Sequence, residues 1–149
     1  MAKTTVKIEG LSELKDALRA LSDTTAKNVM RRVLKRAGEP IAERMRAAVP
    51  KDTGRLRDSI MVSQQLSRRQ KRFAKKEGPY DIEMFVGPRP LLYAHLQEFG
   101  TFAEPAQRYA RPAWDAGHAK ALQDITDDLA AEIAKTAARA ARKAAKAKG

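Results

Sequence analysis

An apolar stripe at helical spacing runs through residues 30–45 and constrains the fold more than any other feature of this sequence. Charged residues fill most positions between its members, which are Met30, Val33, Leu34, Ala37, Ile41 and Met45. A helix with this pattern must bury one face against another element, so the stripe predicts a packed domain. Pro40 lies inside the stripe without an amide donor, and it predicts a kink or a break near Gly38 and Glu39.

The other periodic segments predict the elements that cover this helix. Residues 4–8 alternate as a short strand, and leucines at helical spacing over residues 11–21 predict a short helix. Pro50 ends the long helix, Gly54 allows a turn with positive φ, and residues 58–65 and 81–87 alternate as the strands of a hairpin. A short helix ends at Gly100, and a second long amphipathic helix is predicted from Trp114.

Together these segments predict an α+β fold. We expect a small antiparallel sheet with a long projecting hairpin, packed against two long amphipathic helices and one short helix. A chain of 149 residues with 43% apolar content suits one core of ordinary size. We therefore expect a single domain over residues 1–134, followed by a basic tail rich in Ala, Lys and Arg over residues 135–149.

Two local segments supply nearly all of the net charge of +12. The tail carries six cations and no acid, and the predicted hairpin loop over residues 67–79 carries one acid and six cations, which are Arg68, Arg69, Lys71, Arg72, Lys75 and Lys76. Such segments release counterions on contact with nucleic acid, so nonspecific DNA contact is one interpretation and a solvated loop is the other. The composition leaves the tail helical, frayed or disordered.

The sequence offers little for catalysis, metal binding or membrane insertion. It has no cysteine, and His95 and His118 lie on separate segments without a third ligand at a suitable spacing, so we predict no metal and no cofactor. Asp52, Asp58 and Glu98 lie at turns, where carboxylates bond backbone amides more often than they transfer protons. No apolar run reaches the roughly 20 residues of a membrane span. We predict that the protein is not an enzyme.

Aromatic residues crowd into one part of the chain. Five rings fall within 22 residues, namely Tyr93, Phe99, Phe102, Tyr109 and Trp114. The favoured interpretation places most of them in the core. The alternative places Phe102 and Tyr109, on a proline-framed loop, among the contacts to a neighbouring subunit or to DNA.

An ordered set of short motifs resembles the tail-completion family of lambdoid siphophages, the gene-product-ten-like minor tail components. The resembling residues are Ile8-Glu9-Gly10-Leu11, Val49-Pro50, Thr53-Gly54-Arg55-Leu56, Ser59-Ile60, Tyr93-Ala94, Glu98-Phe99-Gly100-Thr101, Pro105-Ala106 and Arg111-Pro112-Ala113. The chain departs from that pattern at Arg108-Tyr109-Ala110, where a Pro-Phe-Leu type triplet is usual, and in its basic loop and tail.

The resemblance implies a structural subunit of the phage neck or tail top. Such a subunit is required for tail assembly or head-tail joining, and it is expected in a homo-oligomeric ring around the DNA passage, with head-closure, tail-terminator or tail-tube proteins as partners. It belongs to the virion and occupies the host cytoplasm during assembly. The alternative function is a nonspecific DNA-binding protein that uses the basic loop and tail. A regulatory, antitoxin-like protein is supported by size alone.

Overall fold

A computed structural model describes residues 11–51, 54–66, 68, 70–72, 81–89, 91 and 93–147 of the chain. In chain order the elements are α1 (Leu11–Arg19), α2 (Asp23–Ala48), α3 (Arg55–Ser59), β1 (Ile60–Ser63), a 3-10 turn (Gln70–Arg72), β2 (Phe85–Pro88), α4 (Ala94–Phe99) and α5 (Ala110–Ala147). Several helices with one small antiparallel sheet confirm the predicted α+β class. The strand predicted over residues 4–8 lies outside the described residues, as does most of the basic loop.

The apolar stripe of residues 30–45 forms the inner face of α2, as its spacing predicts. Val33, Ala37 and Ile41 are buried, one turn after another along the helix. The helix ends at Ala48, and Val49 takes an extended backbone conformation. That conformation is the one favoured before a proline, so Pro50 determines where the helix ends.

The helix continues through Pro40, so of the two predicted alternatives the break near Gly38 and Glu39 is wrong, and the kink stays a prediction. Pro40 removes one backbone hydrogen bond, but burial of apolar residues on both sides of it offsets that loss. Gly38 does not interrupt the helix, and its missing side chain makes room for packing against the sheet. A Cβ atom at this position would lie 3.0 Å from a methyl group of Val62 and 3.1 Å from one of Val86. Glycine therefore lets the helix approach the sheet closely.

The last helix, α5, packs antiparallel to α2. Arg32 Nη2 lies 3.1 Å from Glu132 Oε2, and Arg36 Nη1 lies 3.1 Å from Asp128 Oδ2. Higher numbers in α2 thus pair with lower numbers in α5. The hydrogen bond from Arg32 is the main cause that lowers the pKa of Glu132, although burial of the carboxylate acts in the opposite direction.

Helix α5 begins earlier than predicted, and it continues into the tail, whose conformation the composition left open. The helix begins at Ala110 and not at Trp114, because Pro112 fits within a first turn, where its missing N–H has no helical partner to lose. At its other end the helix reaches Ala147, so the described part of the tail is helical. The high helix propensity of alanine accounts for this continuation. The division of the chain at residue 134 stays a prediction.

The sheet is shorter than predicted. Strands β1 and β2 pair antiparallel with Ile60 opposite Pro88 and Ser63 opposite Phe85, which confirms the hairpin. However, the strand predicted from Asp58 begins only at Ile60, and residues 81–84 of the second predicted strand are not in the sheet. Asp58 belongs to α3, whose single turn presents too few apolar residues to show a helical period in the sequence.

One arginine of α2 fixes the beginning of β1. The Nε and Nη2 atoms of Arg46 donate to the carbonyl oxygen of Ile60 at 3.1 and 2.8 Å. Its Nη1 atom donates to the carboxylates of Glu39 and Glu43 at 2.8 and 2.6 Å. These contacts satisfy a backbone acceptor at the junction of α3 and β1 and tie that junction to the long helix.

Two apolar clusters lie along α2. The larger surrounds its second half and joins α3, β1, α4 and the beginning of α5, with Ile41, Ile60 and Tyr109 among its fully buried members. The smaller surrounds the first half, where α1 and the later turns of α5 cover Val29 and Val33. The larger cluster therefore supports the segment that connects α4 to α5.

Candidate functional site

The short helix α4 turns most of its large apolar side chains outward. Its predicted end at Gly100 is confirmed, since this residue has φ 78° and its N–H donates to the Leu96 carbonyl oxygen at 2.7 Å. Ala94 packs into the core, but Leu96 and Phe99 are exposed, Phe99 to 79%. The helical spacing of these residues therefore indicates that the segment is a helix, but it does not mark a face that is buried in the core.

A buried carboxylate joins α4 to the first turn of α5. Glu98 is 7% exposed, and its Oε2 atom accepts the backbone N–H groups of Tyr109 and Ala110, each at 2.8 Å. Its Oε1 atom accepts the N–H of Arg111 at 2.9 Å. The next residue, Pro112, has no N–H. One side chain thus satisfies the backbone donors at the beginning of a helix, a role usually filled by a residue adjacent in sequence.

The ionised form of Glu98 is favoured in this environment. Burial by itself raises the pKa of a carboxyl group, but the three backbone hydrogen bonds and the nearby positive charge of Arg108 outweigh it and hold the pKa of Glu98 below its usual value. The beginning of a helix also attracts negative charge. Glu98 therefore has a structural role, and for this residue the favoured interpretation, hydrogen bonds to backbone amides, is confirmed. Asp58 is exposed, and Asp52 lies outside the described residues.

Local hydrogen bonds also hold the loop over residues 100–109. Thr101 N donates to the Glu104 carbonyl oxygen at 2.8 Å, and the Thr101 hydroxyl accepts the N–H groups of Ala103 and Glu104 at 3.2 and 3.0 Å. The far side of the loop is tied to α4, where Gln107 N donates to the Gln97 carbonyl oxygen and the two side-chain amides pair at 2.8 Å. The loop is therefore held in place along its length.

Tyr109 anchors the end of this loop in the core. Its ring is 2% exposed, and its hydroxyl donates to the Ala94 carbonyl oxygen at 3.2 Å. Burial, together with the charge of Glu98, raises the pKa of Tyr109 to about 12. The interpretation of Tyr109 as a surface contact is corrected, because a ring inside the larger cluster does not reach a partner.

Two aromatic side chains stand on the surface of the held loop and its adjoining helix end. Phe102 is fully exposed and Phe99 nearly so, whereas the favoured sequence interpretation placed most of these rings in the core. That interpretation is wrong, because Tyr109 is buried whereas Tyr93, Phe99, Phe102 and Trp114 are all exposed. Trp114 is half-exposed and stacks on His118 with ring centroids 6.0 Å apart. Rigid, exposed aromatic groups are typical anchors of protein interfaces, since little conformational entropy is lost when they bind.

An apolar groove forms a second feature of the surface. It has a volume of about 610 Å³ and lies between α2, the segment over residues 82–86 and α5. Its lining residues are Leu34, Ala37, Gly38, Ile41, Ile82, Glu83, Met84, Phe85, Val86, Trp114, Ala121 and Ile125. Side chains on three elements line it, so sequence patterns of single elements did not predict it.

The basic residues of the predicted loop are placed only in part. Arg68, Lys71 and Arg72 are exposed, the last two in the 3-10 turn, whereas Arg69, Lys75 and Lys76 lie outside the described residues. A contact between these cations and DNA stays a prediction.

The described part of the chain holds no group of three or more His, Cys, Asp or Glu side chains arranged for a metal ion. His95 is exposed, and His118 Nδ1 lies 2.9 Å from the Trp114 carbonyl oxygen within its own helix. Among the described residues, no helix is long and apolar enough to cross a membrane.

The sequence predicted backbone amides as the partners of Glu98 but did not place them at the beginning of α5, and one indirect signal pointed there. Tyr109 precedes α5 and is not among the residue types that cap helices, so the first N–H groups of this helix required an acceptor from elsewhere.

Comparison with protein-family models matches residues 12–100 of the chain to the HK97-gp10-like family, a family of bacteriophage tail components. The match covers α1 to α4 and ends at Gly100, so it includes Glu98 and Phe99. Searches of the curated proteins and of the solved structures found no significant match.

Proposed function

Because the chain belongs to the HK97-gp10-like family of bacteriophage tail components, we propose that it acts at the neck of the particle as a tail-completion or head-tail joining subunit. The protein is a structural component of the phage tail and belongs to the virion, and its family is not a class of enzymes. The neck position and the role in assembly rest on the motif resemblance described above.

The observation that supports this proposal is the exposed aromatic surface formed by Phe99 and Phe102, which we call the aromatic surface. Phe99 ends α4, Phe102 lies in the loop that follows, and both are exposed. Hydrogen bonds of Glu98, Thr101 and Gln107 hold this loop and tie it to α4 and to the beginning of α5. Rings exposed to this extent contribute little to the stability of the isolated chain, because they bury little apolar surface in it. Their burial against other neck or tail proteins, head-closure, tail-terminator or tail-tube subunits among them, gives them a function.

Substitution of Phe102 in the phage that encodes this chain tests the proposal. We expect Phe102→Ser to leave the melting temperature of the purified protein unchanged and to reduce the yield of infectious, tail-bearing particles at least tenfold. Electron microscopy should then show capsids and tails that are not joined. Phe102→Leu, which keeps an apolar anchor, is the matched control and should retain most of the yield. Normal yield of joined particles from Phe102→Ser would contradict the proposal.

We further propose that copies of the chain form a homo-oligomeric ring around the DNA passage. The aromatic surface and the apolar groove are different parts of one chain, and a contact between unlike surfaces joins copies head to tail and closes into a ring when the rotation allows it. Native mass spectrometry of purified neck complexes should give one fixed copy number above two. A single copy in each complex would contradict the ring but not the position at the neck.

The alternative, a nonspecific DNA-binding protein that uses the basic loop and tail, is supported by those two segments alone. Membership of a tail-component family favours the structural role. If the alternative is right, deletion of the gene leaves the assembly of joined particles intact.

A further inference from the structure

The final turns of α5 do not pack against any other described part of the chain. Thr136 is the last partly buried residue, and every residue from Ala137 to Ala147 is exposed on a helix that continues without interruption. Eleven residues of helix extend over about 16 Å. This segment therefore presents all of its sides to a partner.

The four cations of this segment and Lys135, which precedes it, fall on one side of the helix. At about 100° per residue, these five lie within an arc of about 100° and over about 17 Å of helix length. We call this the basic face; its residues are Lys135, Arg139, Arg142, Lys143 and Lys146. The rest of the circumference carries Thr136 and alanines, and no acidic residue follows Glu132. The net charge of the tail thus becomes a linear positive surface, which the composition alone does not show.

The cations of the basic face beyond Lys135 have no anionic partner within the described part of the chain. Arg139, Arg142, Lys143 and Lys146 form no ion pair there, in contrast to Lys120 earlier in α5, which pairs with Asp124 at 2.8 Å. Neighbours on the basic face are three or four residues apart, so like charges repel one another along the helix. An external polyanion would remove this repulsion.

We propose that the basic face binds the phosphate backbone of duplex DNA without reading its sequence. A linear array of cations matches the closely spaced charges of a duplex, and neutralising each phosphate releases bound counterions. Residues 134–149 contain no aromatic residue to stack on unpaired bases and no large apolar residue to insert into a lipid surface. The small alanines on the other sides keep the helix narrow, which permits close approach to a groove. The proposal does not depend on the ring or on the position at the neck.

The test measures binding of the full chain to a duplex of random sequence as a function of salt concentration. The triple variant Arg139→Ala, Arg142→Ala, Lys146→Ala should reduce the slope of log affinity against log salt by about 2.7, which is about 0.9 for each lost phosphate contact. At 0.1 M salt this corresponds to a loss of affinity on the order of 100-fold or more. The melting temperature should not change, because these side chains are exposed. An unchanged slope would overturn the proposal.

A second variant keeps the composition and moves the charges. In it Arg139 and Ala140, Arg142 and Ala141, and Lys146 and Ala145 exchange identities, so net charge and alanine content stay the same while three cations leave the basic face. Circular dichroism should confirm unchanged helicity. We expect binding clearly weaker than that of the wild-type chain. Equal binding would show that total charge suffices and would overturn the role of the face.

Neutralisation of the loop and two other anionic partners complete the test. The variant Arg68→Ala, Lys71→Ala, Arg72→Ala has the same charge change as the triple variant and should keep most of the salt dependence. If it loses the salt dependence instead, the loop is the DNA contact and the proposal fails. Vesicles rich in phosphatidylserine and a polyglutamate peptide should bind more weakly than the duplex. Tighter binding of either, with the same dependence on Arg139 and Arg142, would assign the face to another partner.

Discussion

Substitution of Glu98 by glutamine tests the central claim about how the aromatic surface is held. The change keeps the size of the side chain and removes its charge. In the wild-type protein one carboxylate oxygen accepts two N–H groups and the other accepts the N–H of Arg111. Glutamine retains a single oxygen, so at least one backbone N–H at the beginning of α5 faces an amide NH₂ group that cannot accept it.

The expected loss follows from these contacts. An unpaired buried donor costs about 1–3 kcal/mol, and the two remaining hydrogen bonds lose their ionic partner at a cost of about 1 kcal/mol each. Burial of a neutral amide is easier than burial of a carboxylate, which returns part of this loss. We therefore expect Glu98→Gln to lower the free energy of unfolding by about 3 kcal/mol, or the melting temperature by roughly 6–12 °C in a chain of this size.

Urea unfolding, followed by tryptophan fluorescence, measures the change in the free energy of unfolding with a probe near the beginning of α5. Trp114 is the sole tryptophan of the chain and lies in the second turn of α5, next to the substituted contact. Glu104→Gln is the matched control, since it makes the same chemical change on an exposed side chain of the same loop. It should alter the free energy of unfolding by less than about 0.5 kcal/mol.

The pH dependence gives an independent check. The pKa of Glu98 is lower in the folded than in the unfolded protein, so the stabilisation is present above the unfolded value near 4.3 and is lost as the pH falls through the folded pKa. The difference in stability between the wild-type protein and Glu98→Gln should therefore shrink between pH 7 and pH 3. A difference below 0.5 kcal/mol at pH 7, or one that is the same at both pH values, refutes the reasoning.

Two glycines and one arginine give further predictions, each measured by chemical unfolding. Gly54→Ala and Gly100→Ala both place a side chain at positive φ, but only at position 100 would the new Cβ lie 2.7 Å from a backbone nitrogen, that of Ala106. Gly54→Ala should therefore cost about 1–2 kcal/mol and Gly100→Ala clearly more, and equal losses would contradict the assigned loop geometry. Arg46→Met should cost about 1.5–3 kcal/mol, because the Ile60 carbonyl oxygen loses its charged donor; a loss below 0.5 kcal/mol would show that this contact is dispensable.

Local sequence patterns predicted two kinds of feature: long elements with a periodic apolar stripe, and positions where one residue type, glycine, is strongly preferred. The apolar stripe in α2 spans several turns, and a helix with such a stripe buries it by packing that face against another element. Gly54 and Gly100 have the positive φ expected of glycines that follow a turn or end a helix. Short elements were less predictable, because α3 and the four-residue strands contain too few residues for a period to show. The helix does not break at Pro40, because the packing of the whole helix outweighs the low helix propensity of one residue.

The sequence by itself determined the two long helices, the hairpin and the location of the charge, and its motifs indicated a family of phage tail components. Each of these depends on the spacing of residues that are near one another in the chain. The tertiary structure decided the rest. It buried Tyr109 while leaving Phe99 and Phe102 outside, and it turned Glu98 into the cap of a helix that begins twelve residues later. Burial and hydrogen-bond partners depend on which distant segments meet, and no local pattern records that meeting.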